Sequence, residues 1–380
     1  MTTEGFTGPD DSQSGSAAIA RDRFWMTMLP HVAGILIVLA TVAWLSPSPQ
    51  PTDQAMVEHV GQGVINPGCA DLNCFRILVP AAVESFPGPS LPRWRAYAVV
   101  MNAAAAVATG WLALELGLPA AAITLTVWLS ALGAGSFATV YHPYNADSFV
   151  LFLAPVITVL LLRQRMFAAA VVSTIGIFAK EFAAAPIYIA AAASALQHRW
   201  RECGRRAALA VAVTLVWVAL QLTLMRLFNY SYNANPSSQP LAGGYLRLWL
   251  AHVTPAQAVF ALFGTFGAVH LLLPFGWRLA PPLLRHLAVG SIPALVAFVL
   301  VATPERALWN FFFLAVPIGA LALATLPAGL AAAFVVLFAM ANLRIGAQVP
   351  GVPASRYALL ATLLIATAAA WRSWRTEAIG

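Results

Sequence analysis

Apolar and polar stretches alternate along the chain with a long period. Apolar runs fall at Phe24 to Leu45, then near 96–114, 119–141, 148–162, 166–179, 182–197, 207–228, 255–275, 287–302, 307–326, 328–343 and 357–371. Many approach the ~20 residues with which a helix crosses a hydrocarbon core of about 30 Å. The pattern predicts an all-α polytopic membrane protein with about 12 transmembrane helices. Residues 1–23, rich in Ser, Gly and Asp, predict a disordered tail. Residues 24–371 then form a single transmembrane domain, and 372–380 a second short tail. The first run is too long for a signal-peptide core and lacks a small-x-small exit, so it reads as an uncleaved anchor.

Positive charge orients the spans. With the N-terminus cytoplasmic and twelve crossings, the inner side holds Arg21, Arg23, Arg163, Arg165, Arg199, Arg201, Arg205, Arg206, Arg278, Arg285, Arg372 and Arg375, 12 of the 21 basic residues. The cluster from His198 to Arg206 is the strongest inside signal, and both termini come out cytoplasmic. The other nine (Arg76, Arg93, Arg95, Lys180, Arg226, Arg247, Arg306, Arg344, Arg356) fall outside or near the outer ends of spans. Arg163/Arg165 and the 198–206 cluster both belong inside, yet one apolar stretch separates them. It must go out and return, turning at Lys180-Glu181. Its 14-residue ascending arm, 166–179, reaches only about 21 Å as a helix. The turn is therefore expected below the outer surface, where charges are costly and tend to line a substrate path.

Two polar stretches stand out: residues 46–95, the first outer loop, and 229–253, the second. Inner connections are short, which puts any chemistry on the outer face. The run from Phe75 to Phe86 is amphipathic and too short to cross, so it predicts an interfacial helix.

Composition narrows the class. Apolar residues make up 60% of the 380 and charged residues 9%, against roughly 25% charge in a soluble protein. That excludes a soluble enzyme, a nucleic-acid-binding domain and a disordered scaffold. The net charge of +7 then reports topology and contact with membrane lipids, not a nucleic-acid partner. Enrichment in Ala and Arg suggests a GC-rich bacterial genome and hence a bacterial inner membrane. Three cysteines exclude a disulfide scaffold and a Cys-rich metal site.

Candidate chemistry gathers in the outer segments. Asp53 follows the Pro-rich exit of the first span, with Glu58 and His59 close behind. Asp53 and Glu58 are the candidate catalytic acids, able to take a proton from an acceptor hydroxyl or to hold a divalent cation; ordinary hydrated loop acids are the other reading. Cys69 and Cys74 would face an oxidising compartment and are candidates for a short-loop disulfide. Arg76 offers a planar donor fork to a lipid phosphate, or simply snorkels to headgroups. Pro143 stops a helix, and His142, Asn145 and Asp147 cluster around it at an outer mouth, where Asp147 either caps the next span or contacts substrate. Lys180 is the only lysine; it and Glu181 either satisfy one another and nearby backbone or touch substrate. Arg306 is a further candidate for phosphate charge, or pairs with Glu305. No Walker loop, dinucleotide fingerprint, Ser nucleophile elbow or His-Glu-x-x-His pair is present.

In order and placement these features resemble polytopic glycosyltransferases of the GT-C superfamily, which draw sugars from polyprenyl-phosphate donors. The resemblance covers roughly residues 24–310. A first span leads to a large outer loop with an acid near its start, here Asp53. Then come Phe75-Arg76-Ile-Leu-Val-Pro80, Asn145-Ala-Asp147 opening a span, Lys180-Glu181 at a hairpin tip, and Glu305-Arg306 before a late span. It implies Asp53 as catalytic base and Arg76, Lys180 and Arg306 as contacts to the donor phosphate. It also implies a polyprenyl-phosphate-linked sugar and a glycan or lipid acceptor as partners, with Mg or Mn as the divalent cation if one is used. Where that superfamily usually pairs two acids, Asp53 stands between Thr52 and Gln54. Two other readings stay open: a secondary transporter or lipid-linked-sugar flippase, which shares the twelve-span layout, and a non-catalytic assembly partner.

Overall fold

The computed structural model describes the backbone of residues 11–49, 51–62, 65–70, 72–231, 244–302, 304–347, 349 and 354–377. Side chains are described from Phe24 onward, apart from a few that include those of Asp53 and Glu305. Among the described residues the chain is all-helical. In order the helices are α1 (Asp11–Leu45), α2 (Pro51–Gly61), α3 (Leu78–Glu84), α4 (Ser90–Glu115), α5 (Ala120–Ala131), α6 (Ala134–Tyr141) and α7 (Asp147–Leu162). They continue as α8 (Met166–Ile177), α9 (Ala185–Leu196), α10 (Trp200–Phe228), α11 (Gly244–His252), α12 (Pro255–Phe266), α13 (Leu273–Leu279) and α14 (Pro282–Gly290). The last five are α15 (Ile292–Val301), α16 (Pro304–Trp309), α17 (Phe312–Leu323), α18 (Ala328–Ile345) and α19 (Ala354–Glu377). Short 3-10 turns sit at Leu72–Phe75, Glu181–Ala184 and Gly267–Leu272.

Seven helices or helix pairs are long and apolar enough to cross a membrane: Phe24–Leu45, Ser90–Glu115, Ala120–Tyr141, Trp200–Phe228, Pro255–Leu279, Pro282–Val301 and Ala328–Ile345. Shorter apolar helices follow at Asp147–Leu162, Met166–Ile177, Glu181–Leu196 and Phe312–Leu323. Large apolar side chains such as Leu29, Ile37 and Phe167 face outward, as a bilayer solvent permits and water does not. The architecture is that of a helical membrane protein.

Small residues set the centre. α4 buries Ala98, Ala103, Ala106 and Ala113 where it packs against α5 and α7; without bulky side chains the backbones approach closely. Polar groups freed by helix breaks are met internally, as a dry environment demands. Between α5 and α6 the chain breaks at Gly133, and Asn342 Nδ2 donates to the Leu132 carbonyl at 2.9 Å. Ser136 Oγ donates to the Ser130 carbonyl at 2.8 Å.

Several elements differ from the expected pattern. α1 begins at Asp11, ahead of the first apolar run; adding a residue to an existing helix costs far less than nucleating one. Similarly α19 runs to Glu377, into the segment expected as a C-terminal tail. Residues 1–10 and 378–380 lie outside the described residues. The stretch 46–95, expected as the first outer loop, is mostly structured and holds α2, α3 and the start of α4. The interfacial run is shorter than Phe75–Phe86, because Phe75 ends a 3-10 turn and α3 covers only Leu78–Glu84. Within 229–253, α11 is helical and residues 232–243 lie outside the described residues.

Charged contacts sort to two ends. At one end Arg95 Nη2 donates to the carbonyls of Ser46 and Pro47, each at 2.9 Å, tying the start of α4 to the end of α1. The Leu78 amide donates to the Phe178 carbonyl at 3.1 Å, and the Gly68 amide to the Phe228 carbonyl at 2.8 Å. At the other end Arg163 pairs with Glu115 and lies 4.8 Å above the Trp111 ring. There too Arg206, buried, donates to the carbonyls of Ala190 (3.2 Å) and Leu161 (3.3 Å) and to Ser194 Oγ (2.6 Å), where carbonyls near the ends of α7 and α9 favour a cation.

Candidate functional site

Three separated segments deliver charge to one place. The Cys69–Cys74 disulfide closes a small loop whose 3-10 turn ends at Phe75. Phe75 packs edge-on against Tyr230, ring centroids 5.3 Å apart, and the Ser231 amide donates to the Cys69 carbonyl at 3.0 Å. The loop is thus seated on the end of α10, and Arg76 follows directly. Its amide donates to the Asn73 carbonyl at 3.0 Å, and its Nη1 donates to Asn73 Oδ1 at 3.1 Å. Its Nη2 reaches Glu181 Oε1 at 3.0 Å.

The hairpin supplies the second part. α8 spans 12 residues, about 18 Å, and the chain then turns through Phe178–Lys180 into the 3-10 turn at Glu181. Gly176 makes the turn tight: a Cβ there would lie 2.6 Å from both Ala183 Cβ and Leu153 Cδ1. Ser173 Oγ, donating to the Ala183 carbonyl at 2.8 Å, staples the two arms. Lys180 sits in extended backbone at φ −168°, ψ 142°. Its ammonium bonds the carboxylate of Asp147.

Asp147 opens α7. The cap-like bond at this helix start is made by Asn145, whose Oδ1 accepts from the Asp147 amide at 2.9 Å. That leaves the Asp147 carboxylate for Lys180 on one oxygen and for Arg306 Nη2, 3.4 Å away, on the other. Arg76, Asp147, Lys180, Glu181 and Arg306 therefore form one cluster of three cations and two anions. Lys180 and Asp147 are 12% and 11% exposed, whereas Arg306 is 56% exposed. Arg306 is the open edge of the cluster.

The remaining candidates lie around this cluster or apart from it. α2 packs through Val57 into an apolar patch with Val79, Val83, Trp94, Tyr144, Ala146 and Ala179; Ala146 and Ala179 directly precede Asp147 and Lys180. Glu58, on α2, accepts from Gln54 Nε2 at 2.8 Å, and His59 is half-buried. The side chain of Asp53 lies outside the described residues. Burial holds the Tyr144 phenol above its ordinary pKa, with Glu58 adding in the same direction, so this hydroxyl remains a donor. The His142 ring lies 4.1 Å from that of Tyr141, and its carbonyl accepts from Asn145 Nδ2 within the same turn. Among the described residues no three His, Cys, Asp or Glu side chains gather as a metal-binding group.

A second set of contacts was not anticipated from sequence. Glu84, at the end of α3, accepts from Ser90 Oγ at 2.9 Å, from the Trp94 indole and from Arg93. This hub pins α3 to α4 and hence positions the stretch between α1 and α4. Its only linear signal is an acid and a base nine residues apart across Pro87-Gly88-Pro89. Elsewhere a groove of about 830 Å³ lies between α1, α5 and α18, lined by apolar side chains that include Val42, Trp128 and Met340 and by none of the candidate residues.

Compared with protein-family models, curated proteins and solved structures, the chain matches none.

Proposed function

We propose that the protein is a multi-pass glycosyltransferase of a bacterial inner membrane, with twelve crossings and both ends cytoplasmic. In this reading it moves a sugar from a polyprenyl-phosphate donor to a lipid-linked or extracytoplasmic acceptor at the outer face. The observation that carries the proposal is the convergence of Arg76, Lys180 and Arg306 on two carboxylates. Among the described residues these three cations meet two carboxylates, and the exposed guanidinium of Arg306 at the edge is a fitting receptor for a phosphate.

The reaction follows from that charge. The acceptor hydroxyl oxygen attacks the anomeric carbon from the face opposite the phosphate, so the configuration inverts. The bond from carbon to phosphate oxygen breaks and its electron pair leaves with the phosphate. Arg76, Lys180 and Arg306 stabilise the charge that builds there, often the largest catalytic contribution. Asp53 takes the hydroxyl proton, with Glu58 as the second acid on the same helix, and His59, His142 and Asn145 border the acceptor side. Asp147 and Glu181 hold the cations in position. Both of these carboxylates are already engaged by cations and do not fit as ligands for Mg or Mn.

D53N, assayed in membranes with synthetic donor, is expected to lose roughly 10²–10⁴-fold in transfer rate. Full activity removes Asp53 from the mechanism. R76Q and R306Q, which remove phosphate contacts, are expected to weaken donor binding; unchanged binding in both sinks the phosphate site.

One observation favours the carrier or flippase reading. Several apolar segments are broken, at Gly133, at Gly267–Leu272 and at Ser291, and interrupted helices line the substrate paths of many carriers. Labelled substrate accumulating in proteoliposomes without covalent transfer would establish that alternative.

A further inference from the structure

The end of the molecule opposite the charge cluster presents an unpartnered surface on α10. Arg201 and Arg205 are exposed there, and the same helix line continues through exposed Ala208, Ala212, Leu215 and Leu222. The 3- and 4-residue spacing keeps these side chains on one face, over about 32 Å of helix. Trp200 sits at the head of the face with its ring 66% exposed, the placement favoured at a membrane–water boundary.

The charge at the head of this face is uncompensated. Glu202, the one acid of the turn, is already held by Arg199 and Arg206, each at 3.2 Å. Arg201 and Arg205 make no ion pair among the described residues. The surface thus combines two free guanidinium groups with an apolar stripe that runs away from them into the span.

We propose that this face binds an anionic glycerophospholipid. Arg201 and Arg205 take its phosphate, Trp200 lies at headgroup level, and an acyl chain follows Ala208, Ala212 and Leu215. A free phosphate has no use for the stripe. A second copy of the chain fits less well: in one bilayer the two-fold axis runs along the membrane normal, which sets each Arg201–Arg205 pair against its counterpart. The proposal is independent of the outer cluster and of any transferase activity.

The test is native mass spectrometry of the delipidated full-length protein, titrated with phosphatidylglycerol or phosphatidylcholine of matched acyl chains. Wild type is expected to retain phosphatidylglycerol roughly ten- to thirtyfold better, as two basic side chains at a headgroup imply. R201Q/R205Q is expected to bring that ratio near one with its thermal unfolding in detergent unchanged, while R356Q, on another helix, keeps it. Equal retention of both lipids by wild type overturns the proposal even if the double variant does not fold. So does an unchanged preference in that variant, or majority cross-linking through L215C in phosphatidylglycerol vesicles, which gives the face to a second copy.

Discussion

The Lys180 ammonium is bonded to Asp147, 33 positions earlier in the chain, although an acid stands beside it at Glu181. The two neighbours take different partners, Lys180 from extended backbone and Glu181 from the start of the 3-10 turn. Lys180 meets Asp147 at the head of α7, and Glu181 meets Arg76 from the disulfide loop. A hairpin tip with charges of both signs thereby joins two parts of the molecule that share no sequence proximity.

Removing one partner of this buried pair leaves the other charged and unsatisfied. D147N is expected to cost roughly 3 kcal/mol of stability, the lower end for a buried ion pair, since Arg306 is largely exposed and can turn to water. D147L/K180M, which removes both charges, is expected to lose less than D147N alone. Unfolding of the three proteins in detergent gives the comparison. Because Lys180 is the only lysine, amine-specific labelling of its side chain adds a local readout, expected to rise in D147N.

Exchanging the charges of Arg76 and Glu181 separates scaffold from chemistry. R76E/E181R retains an ion pair between loop and hairpin, so its stability is expected near wild type, whereas each single variant is destabilised. Transfer activity in R76E/E181R is expected to stay roughly 10–100-fold down, the loss that follows from removing one charge-assisted bond to a phosphate. Full activity in the exchanged protein would reduce the pair to a structural link.

Gly176 sets where Lys180 stands, since the Lys180 amide donates to the Gly176 carbonyl at 2.9 Å. In G176V the new side chain meets Ala183 and Leu153 and forces the two arms apart. The expected cost is roughly 1–3 kcal/mol from overpacking, together with faster amine labelling of Lys180. Wild-type labelling in a destabilised G176V would show that the tip keeps its geometry without the close approach.

The helical membrane class was legible because it rests on long apolar runs, which need no partner to be recognised. The hairpin turning at Lys180 was legible for a related reason: arginines on both sides force an out-and-back path. Its charge pairing was not. Adjacency leaves open whether Lys180 and Glu181 satisfy one another or touch substrate, and their partners come from 33 and 105 positions away, distances that carry no linear signal. Asp147 is the first residue of α7 and not the residue before it, so its carboxylate meets Lys180 and Arg306. The breaks at Gly133 and Ser291 were hidden inside runs whose hydropathy stays high across them. Of the nine cations expected on the outer side, Arg93 and Arg95 hold loop ends in place, and nothing in their composition separates them from Arg76.

The Cys69–Cys74 bond closes a six-residue loop, and the 3-10 turn that begins within it ends one residue before Arg76. Loop-closure entropy for so short a ring is worth about 2 kcal/mol. C69S/C74S is therefore expected to lose about that much stability. The loss should concentrate where the loop is anchored, at the Gly68 and Ser231 amides that bond the Phe228 and Cys69 carbonyls. Hydrogen exchange read by mass spectrometry is expected to quicken at 65–78 and 228–231 and to stay slow in α4 and α7. Arg76 keeps its own bonds to Asn73 and Glu181, so donor binding should fall less in C69S/C74S than in R76Q. A variant as weak in binding as R76Q would mean that the disulfide, and not the ion pair with Glu181, holds the guanidinium in place.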